Sequence, residues 1–168
     1  MVALSRYKIS NVSEYQGEKM FKNAANILIV DDVEANREAL SGLVQIIGHT
    51  PIQAEGGLIA FEKLKEHAID LVFLDVMMPG IDGFEVLNYI KDDATLRHIP
   101  VIMITAVDDK NSLDYCMKVG AYDYLTKPFN SIVLQAKMKV CLDKKFWRDK
   151  GEEDYRQIKE ANLKQTRQ

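Results

Sequence analysis

Between Asn26 and Asp143 the chain alternates short runs that are apolar throughout with longer stretches of helical periodicity. The apolar runs are residues 27–30, 52–54 (the weakest), 71–74, 101–104 and 121–125. Strands of this kind need cover on both faces, which is typical of parallel sheets with helical crossovers. The pattern therefore predicts five β/α units and an α/β fold, a doubly wound five-stranded parallel sheet with helices on both faces.

Polar side chains stand where the stronger apolar runs end. They are Asp31, Asp32, Asp75, Thr105 and Lys127. In an open parallel sheet, ligands bind outside the carboxyl ends of the strands, so we expect these five side chains to meet in one cluster. Three carboxylates, a hydroxyl and an ammonium suit a divalent cation together with a phosphoryl group.

The composition excludes several other classes of function. Residues 25–143 carry 10 Lys/Arg against 18 Asp/Glu, and the segments 1–24 and 144–168 are mildly basic. An acidic body argues against nucleic-acid binding. No run approaches the roughly 18 apolar residues that cross a bilayer, and the N-terminal segment lacks a secretory signal. Cys116 and Cys141 have no metal-ligand spacing, so we expect reduced thiols in a cytoplasmic protein.

Four motifs together carry a family resemblance. They are ILIVDD at 27–32, LVFLDVMMPGIDGFEVL at 71–87, VIMITA at 101–106 and GAYDYLTKPF at 120–129. In this order and spacing, residues 26–143 resemble the receiver domain of bacterial two-component response regulators, which is CheY-like with a flavodoxin-like fold. The resemblance implies a phosphorylation-dependent signalling switch that takes a phosphoryl group from a histidine kinase or phosphotransfer protein.

The resemblance assigns a role to each acidic residue of the cluster. Asp75 is the expected phosphoacceptor, since a carboxylate can attack a phosphoryl group as a nucleophile. Asp31, Asp32, Asp75 and the backbone carbonyl of Met77 are the expected ligands of Mg²⁺, a hard cation that prefers oxygen.

The same resemblance implies roles for the residues of the last two strands. Lys127 would stabilise charge on the phosphoryl group, and Thr105 would donate a hydroxyl hydrogen bond to it. Tyr124 would rotate from exposed to buried on phosphorylation, which changes the face at residues 109–142. The Lys127-Pro128 bond is expected to be cis.

Each of these residues also has a simpler interpretation when it is taken singly. Asp31 and Asp32 could cap the following helix, Asp75 could shape a turn, and Thr105 could be structural. Two other classes of function also remain, a Mg²⁺-dependent phosphohydrolase and an interaction domain that has lost its chemistry. The hydrolase usually needs an acid two residues after its nucleophile, where this chain has Met77.

Two apolar positions suggest a long phosphoryl lifetime. In the family, residues two after the phosphoacceptor and two after the threonine flank the path of the attacking water. They are Met77 and Val107 here, and neither can orient a water. The hypothesis is slow self-dephosphorylation.

The remaining segments are assigned more coarsely. Residues 1–24 form an N-terminal extension with no periodicity, 25–143 the receiver domain, and 144–168 a charged extension of the last helix. The extension is either a solvated helix or a short coiled coil that supports a parallel homodimer. An output partner, or an output domain beyond this chain, is left open.

The segment with coiled-coil spacing is short. Tyr155, Ile158 and Asn162 have the 3–4 spacing of a coiled-coil seam, but Gly151 interrupts it and Gln165 follows it. The neighbouring aromatics Phe146 and Trp147 need a covering surface, which could be this domain, a second copy or an output module.

Overall fold

The computed structural model describes residues 24–106 and 110–166 as alternating strands and helices. The elements are β1 Asn26–Val30, α1 Glu34–Ile47, β2 Thr50–Ala54, α2 Gly57–Glu66, β3 Leu71–Asp75, α3 Gly83–Asp92, β4 Val101–Thr105, α4 Lys110–Val119, β5 Asp123–Thr126 and α5 Ser131–Thr166. All strand pairs are parallel, in the order β2-β1-β3-β4-β5, which confirms the predicted fold. The predicted extension 1–24, apart from its last residue, and Val107 lie outside the described residues.

The register of the sheet brings the strand ends level with one another. Val30 of β1 pairs with Leu74 of β3, so the residues that follow them stand side by side. On the other side of β3, Asp75 pairs with Ile104 of β4. The polar residues that end these strands therefore lie at one edge, as predicted.

Two apolar layers cover the sheet, one on each face. Leu28 and Val30 point into a layer closed by α2, α3 and α4, whereas Ile27 and Ile29 point into a layer closed by α1 and α5. Alternate residues of one strand thus serve opposite layers, which is why the strand is apolar at every position.

Local interactions set several helix ends. Gly48 ends α1 with a left-handed φ of 100°, a conformation that glycine adopts without strain. Asp82 and Glu85 form a reciprocal capping box at the start of α3. At the start of α5, the Asn130 side chain accepts from the backbone N–H groups of Ile132 and Val133.

Helix α5 is continuous over 36 residues and leaves the domain part-way along. Its first turns bury Leu134 and Met138 against the sheet, whereas every described side chain after Arg148 is exposed. Gly151 does not interrupt it, so the predicted helical extension is confirmed. The coiled-coil seam stays a prediction, and the side chain of Gln165 is not among those described. Over the described ranges, no helix has the length and apolar character needed to cross a bilayer.

Gly83 packs closely against the backbone of Asp75 and Val76, which leads to a prediction about packing. A Cβ on Gly83 would lie 2.2 Å from the Asp75 carbonyl oxygen and 2.7 Å from the Val76 Cα, and neither backbone atom can move aside cheaply. Overpacking costs about 1–3 kcal/mol, and we expect Gly83→Ala to lower the free energy of unfolding by about 3 kcal/mol in urea denaturation. Gly42→Ala is the matched control, because a Cβ there meets nothing within 4 Å. It should stabilise α1 by about 0.5–1 kcal/mol, and equal losses in both variants would contradict the packing argument.

Candidate functional site

The site lies where the order of the strands reverses direction along the chain. Helix α1 follows β1 onto one face and α3 follows β3 onto the other, which leaves a crevice at the carboxyl ends of these neighbouring strands. Asp31 directly follows β1 and Asp75 ends β3. One ligand atom from each of Asp31, Asp32 and Asp75 lies within 4.8 Å of the others. The structure therefore brings together the three carboxylates that the sequence predicted.

Burial differs between the three carboxylates. Asp31 and Asp75 are 2% and 4% exposed, whereas Asp32 is exposed at the mouth of the crevice. Two buried carboxylates side by side repel each other and lose hydration, and both effects require compensating positive charge. Asp32 adds an oxygen donor that solvent can still reach.

Asp31 is held by the first turn of α1. The Asn36 amide donates to both carboxylate oxygens, at 3.1 and 3.3 Å, and the Val33 backbone N–H donates at 2.8 Å. Arg37 Nη1 donates to the Asp31 backbone carbonyl at 2.8 Å. Sequence analysis missed Asn36 and Arg37, whose only signal is their place one turn into the helix that follows the acidic pair. The capping alternative is wrong, because Val33 is the N-cap residue and no side chain caps α1.

Lys127 supplies positive charge to both buried carboxylates. Its Nζ lies 3.0 Å from Asp31 Oδ2 and 3.4 Å from Asp75 Oδ1. Its backbone N–H donates to the Thr105 carbonyl at 2.7 Å, and the Lys127-Pro128 bond is cis, as expected. Burial alone would lower the pKa of Lys127, but the hydrogen bond to Asp31 and the charge of Asp75 outweigh it and raise that pKa. The ammonium is therefore a fixed charge at neutral pH.

The pKa of Asp75 is raised. Burial is the main cause and the neighbouring Asp31 carboxylate the second, while Lys127 and the Met77 backbone N–H lower it in part. One ammonium does not offset three carboxylates, and the donor set consists of oxygen atoms. This combination fits a hard divalent cation such as Mg²⁺.

The other predicted site residues lie around this cluster. Thr105 is buried at the end of β4, beside Asp75 across the strand pair. Tyr124 on β5 is 39% exposed, and the Met77 side chain at the mouth of the crevice is 62% exposed. The roles given to these three residues stay predictions.

The charge imbalance predicts that Asp75 destabilises the free protein. Because the pKa of Asp75 is raised in the folded state, its destabilising effect is absent below pH 3.8, the ordinary pKa of the group. The effect grows as pH rises through the folded-state pKa. We expect Asp75→Asn to raise Tm at pH 7 in EDTA by about 2–8 °C, the shift that about 1 kcal/mol produces in domains of this size range. The gain should vanish as the pH approaches 4.

Thermal unfolding by circular dichroism at a series of pH values measures this gain. Asp114→Asn, the same change at an exposed position on α4, should leave Tm nearly unchanged. A gain for Asp75→Asn that did not depend on pH would contradict the charge argument.

Known proteins share both this sequence pattern and this fold. Residues 27–139 match the family described as the response regulator receiver domain. The response regulator PleD of Caulobacter vibrioides is 40% identical over 116 residues, which cover 69% of this chain and 26% of PleD. The polar-differentiation response regulator DivK of Brucella ovis is 35% identical over 105 residues, which cover 62% of this chain and 85% of DivK. The chain thus spans about a quarter of the length of PleD and most of that of DivK.

A solved structure supports the same assignment. The chemotaxis protein CheY4 of Vibrio cholerae superposes with a TM-score of 0.68 at 28% identity, covering 71% of this chain and 100% of CheY4. The family match extends over most of the chain, and the carboxylates and the lysine stand at the strand ends where the resemblance placed them. The chain belongs to the response regulator receiver domain family of two-component signal transduction.

Proposed function

We propose that this domain accepts a phosphoryl group on Asp75 from a histidine kinase or phosphotransfer protein and passes the change on as a signal. The observation that carries the proposal is the position of Asp75, buried beside Asp31 with its Oδ1 3.4 Å from Lys127 Nζ. A carboxylate in this setting has a nucleophilic oxygen with a fixed cation beside it. The proposed role is that of a phosphoacceptor, not of an enzyme that turns over other substrates.

The acidic residues prepare the site for an anionic donor. Asp31, Asp32, Asp75 and the Met77 backbone carbonyl are the proposed Mg²⁺ ligands. When bound, Mg²⁺ would supply positive charge that offsets the repulsion between the carboxylates and an incoming phosphoryl group. Asn36 keeps the Asp31 carboxylate in place through two hydrogen bonds, so its role is positioning.

Lys127 and Thr105 act on the phosphoryl group itself. Lys127 Nζ contacts the Asp75 oxygen and would stabilise charge that develops on the incoming group. Thr105 stands one strand away with its hydroxyl buried at the same edge, where it can donate to the product. The aspartyl phosphate then has a cation on one side and a hydroxyl donor on the other.

The proposed signal is a repacking of the face formed by α4, β5 and α5. Movement of Thr105 toward the phosphoryl group frees space, and Tyr124, now partly exposed on β5, turns inward to fill it. Helix α5 carries the change beyond the domain toward an output partner or output domain, and a homodimer through its exposed part is one form of output.

The first prediction from this proposal is phosphorylation by a small donor. Incubation with Mg²⁺ and acetyl phosphate should add one phosphoryl mass, ~80 Da from its elemental composition, to the intact protein. Attack by the Asp75 carboxylate on phosphorus breaks the P–O bond to the acetyl group, releases acetate and forms an aspartyl phosphate. Asp75→Asn should show no gain, whereas Asp114→Asn should react like the wild type. Lys127→Met should slow the uptake about 100-fold or more, the effect of removing one preorganised donor.

Intact-protein mass spectrometry over time measures all four proteins. A gain that persists in Asp75→Asn would move the phosphoacceptor elsewhere. No gain in any of them would leave an interaction domain without phosphoryl chemistry. Turnover of p-nitrophenyl phosphate by the wild type would favour the hydrolase alternative.

The second prediction concerns the lifetime of the phosphoryl group. Met77 is exposed at the mouth of the crevice and has no polar atom that holds a water for attack. The aspartyl phosphate should therefore persist for minutes or longer after the donor is removed, and Met77→Asn should shorten its lifetime several-fold. Met117→Asn, a change at an exposed methionine of α4, is the matched control. A wild-type lifetime of seconds would contradict the prediction.

A further inference from the structure

A second concave site lies at the opposite edge of the sheet, at the amino ends of β4 and β5. It is a hollow of about 540 Å³ between the end of α3 and the part of α5 that leaves the domain. Pro100, Ala121, Tyr122 and Cys141 form its apolar and aromatic part. Its volume falls within the range of small-molecule sites, about 300–1,000 Å³.

Basic side chains dominate the rest of the lining. They are Lys91, Lys144, Lys145 and Arg148, and the His98 side chain lies among them. Lys144, Lys145 and Arg148 come from the segment 144–168, which carries 8 Lys/Arg against 5 Asp/Glu, and Lys91 comes from the acidic body of the domain. Cations gathered in a concave surface raise the local concentration of anions.

Lys91 is a partly buried cation in a fixed position. Its Nζ donates to the carbonyls of Ile99 at 2.8 Å and Arg97 at 3.1 Å. Its aliphatic stem lies against Gly120, where an added Cβ would be 3.5 Å from Lys91 Cδ. Burial is the main cause that lowers the pKa of Lys91; Cys141 opposes this effect, and the charge of Arg148 lowers the pKa further. The charge is thus held in place at an energetic cost.

The cations of the hollow divide into two groups. Lys145 forms ion pairs with Asp70 at 3.1 Å and Asp149 at 2.7 Å, and Arg148 contacts Asp149 at 3.2 Å. Among the side chains that the structure describes, no carboxylate forms an ion pair with Lys91 or Lys144. Lys145, held by two carboxylates, builds the wall, whereas Arg148 makes a single ion pair and has further N–H donors. Lys91 and Lys144 offer positive charge without a counter-ion from the described protein.

We propose that this hollow binds a nucleotide carrying two or three phosphates, with Lys91, Lys144 and Arg148 on the phosphates. Two cations without carboxylate partners, next to a third, call for a ligand with more than one negative charge. Lys144 Nζ lies over the Tyr122 ring at 5.7 Å, and its movement onto the phosphates would leave that ring face as an aromatic surface for a base. The proposal stands independently of phosphoryl transfer at Asp75, because the two sites lie at opposite edges of the sheet.

The hollow lies beside the point where α5 leaves the domain, so a bound ligand would act on that helix. Arg148 Nη1 donates to the His98 carbonyl at 3.3 Å, and this is one of the last contacts of α5 with the domain. A ligand that bridges Lys91 on α3 and Lys144 on α5 would fix the angle at which α5 leaves. Nucleotide binding would thus act on the same helix as the proposed signal from Asp75.

Isothermal titration with ATP in EDTA tests the proposal, since EDTA prevents Mg²⁺-mediated binding at the carboxylate cluster. We expect one saturable site with Kd below about 1 mM, weakened about tenfold or more in Lys144→Gln and in Arg148→Gln because each loses a charge-assisted contact. Lys65→Gln, at an exposed lysine of α2, and Asp75→Asn should bind like the wild type. Adenosine, which carries the base without phosphate, should not bind measurably.

Several results would overturn the proposal. They are no saturable ATP binding up to several millimolar, equal affinity in the Lys144→Gln and wild-type proteins, loss of binding in Asp75→Asn, or adenosine binding as tight as that of ATP. Pyrophosphate tests the base separately: affinity equal to that of ATP would remove the nucleotide assignment. Lys144 is exposed and makes no backbone hydrogen bond among the described contacts. The Lys144→Gln variant should therefore keep the wild-type Tm, and measuring that Tm checks that the variant is folded.

Discussion

Parallel pairing places the carboxyl end of every strand at one edge of the sheet, and at this edge the protein buries two carboxylates side by side. Desolvation and mutual repulsion both oppose this arrangement. Lys127 lies against both carboxylates, and Asn36 fixes one of them. Gly83 lets the start of α3 approach the Asp75 carbonyl closely. The local structure at this edge is therefore arranged around a charge cluster that the fold itself does not neutralise.

Sequence reasoning reached the fold and the five predicted side chains because both follow from short-range patterns. Wholly apolar runs indicated buried parallel strands, and polar residues at their ends had to meet at the sheet edge. Gly48, which ends α1 in a left-handed conformation that favours glycine, is a local signal of the same kind. The capping box of Asp82 and Glu85 also follows a local sequence pattern, an acidic N-cap residue with Glu three positions later.

The contacts that sequence reasoning missed depend on tertiary geometry. Asn36 and Arg37 look like ordinary first-turn helix residues, and only the angle between β1 and α1 turns them toward Asp31. No local sequence pattern indicates the basic hollow. Lys91 and Lys144 are 53 positions apart, and each alone resembles a solvated lysine. They meet only because α3 ends, and α5 leaves the domain, beside the amino ends of β4 and β5.

The energetics of α5 indicate where a signal can act on it. Its buried stretch, with Leu134 and Met138 against the sheet, is held by apolar contacts worth about 1.5–3 kcal/mol per large side chain. Its last contacts are partly exposed polar pairs, such as Lys145 with Asp70, and pairs of this kind contribute about 0–1 kcal/mol each. A change of a few kcal/mol at Asp75, or in the hollow, therefore shifts the last anchored turn more readily than the buried turns. Because the helix continues beyond that turn to Thr166, a small rotation there becomes a large displacement at its far end.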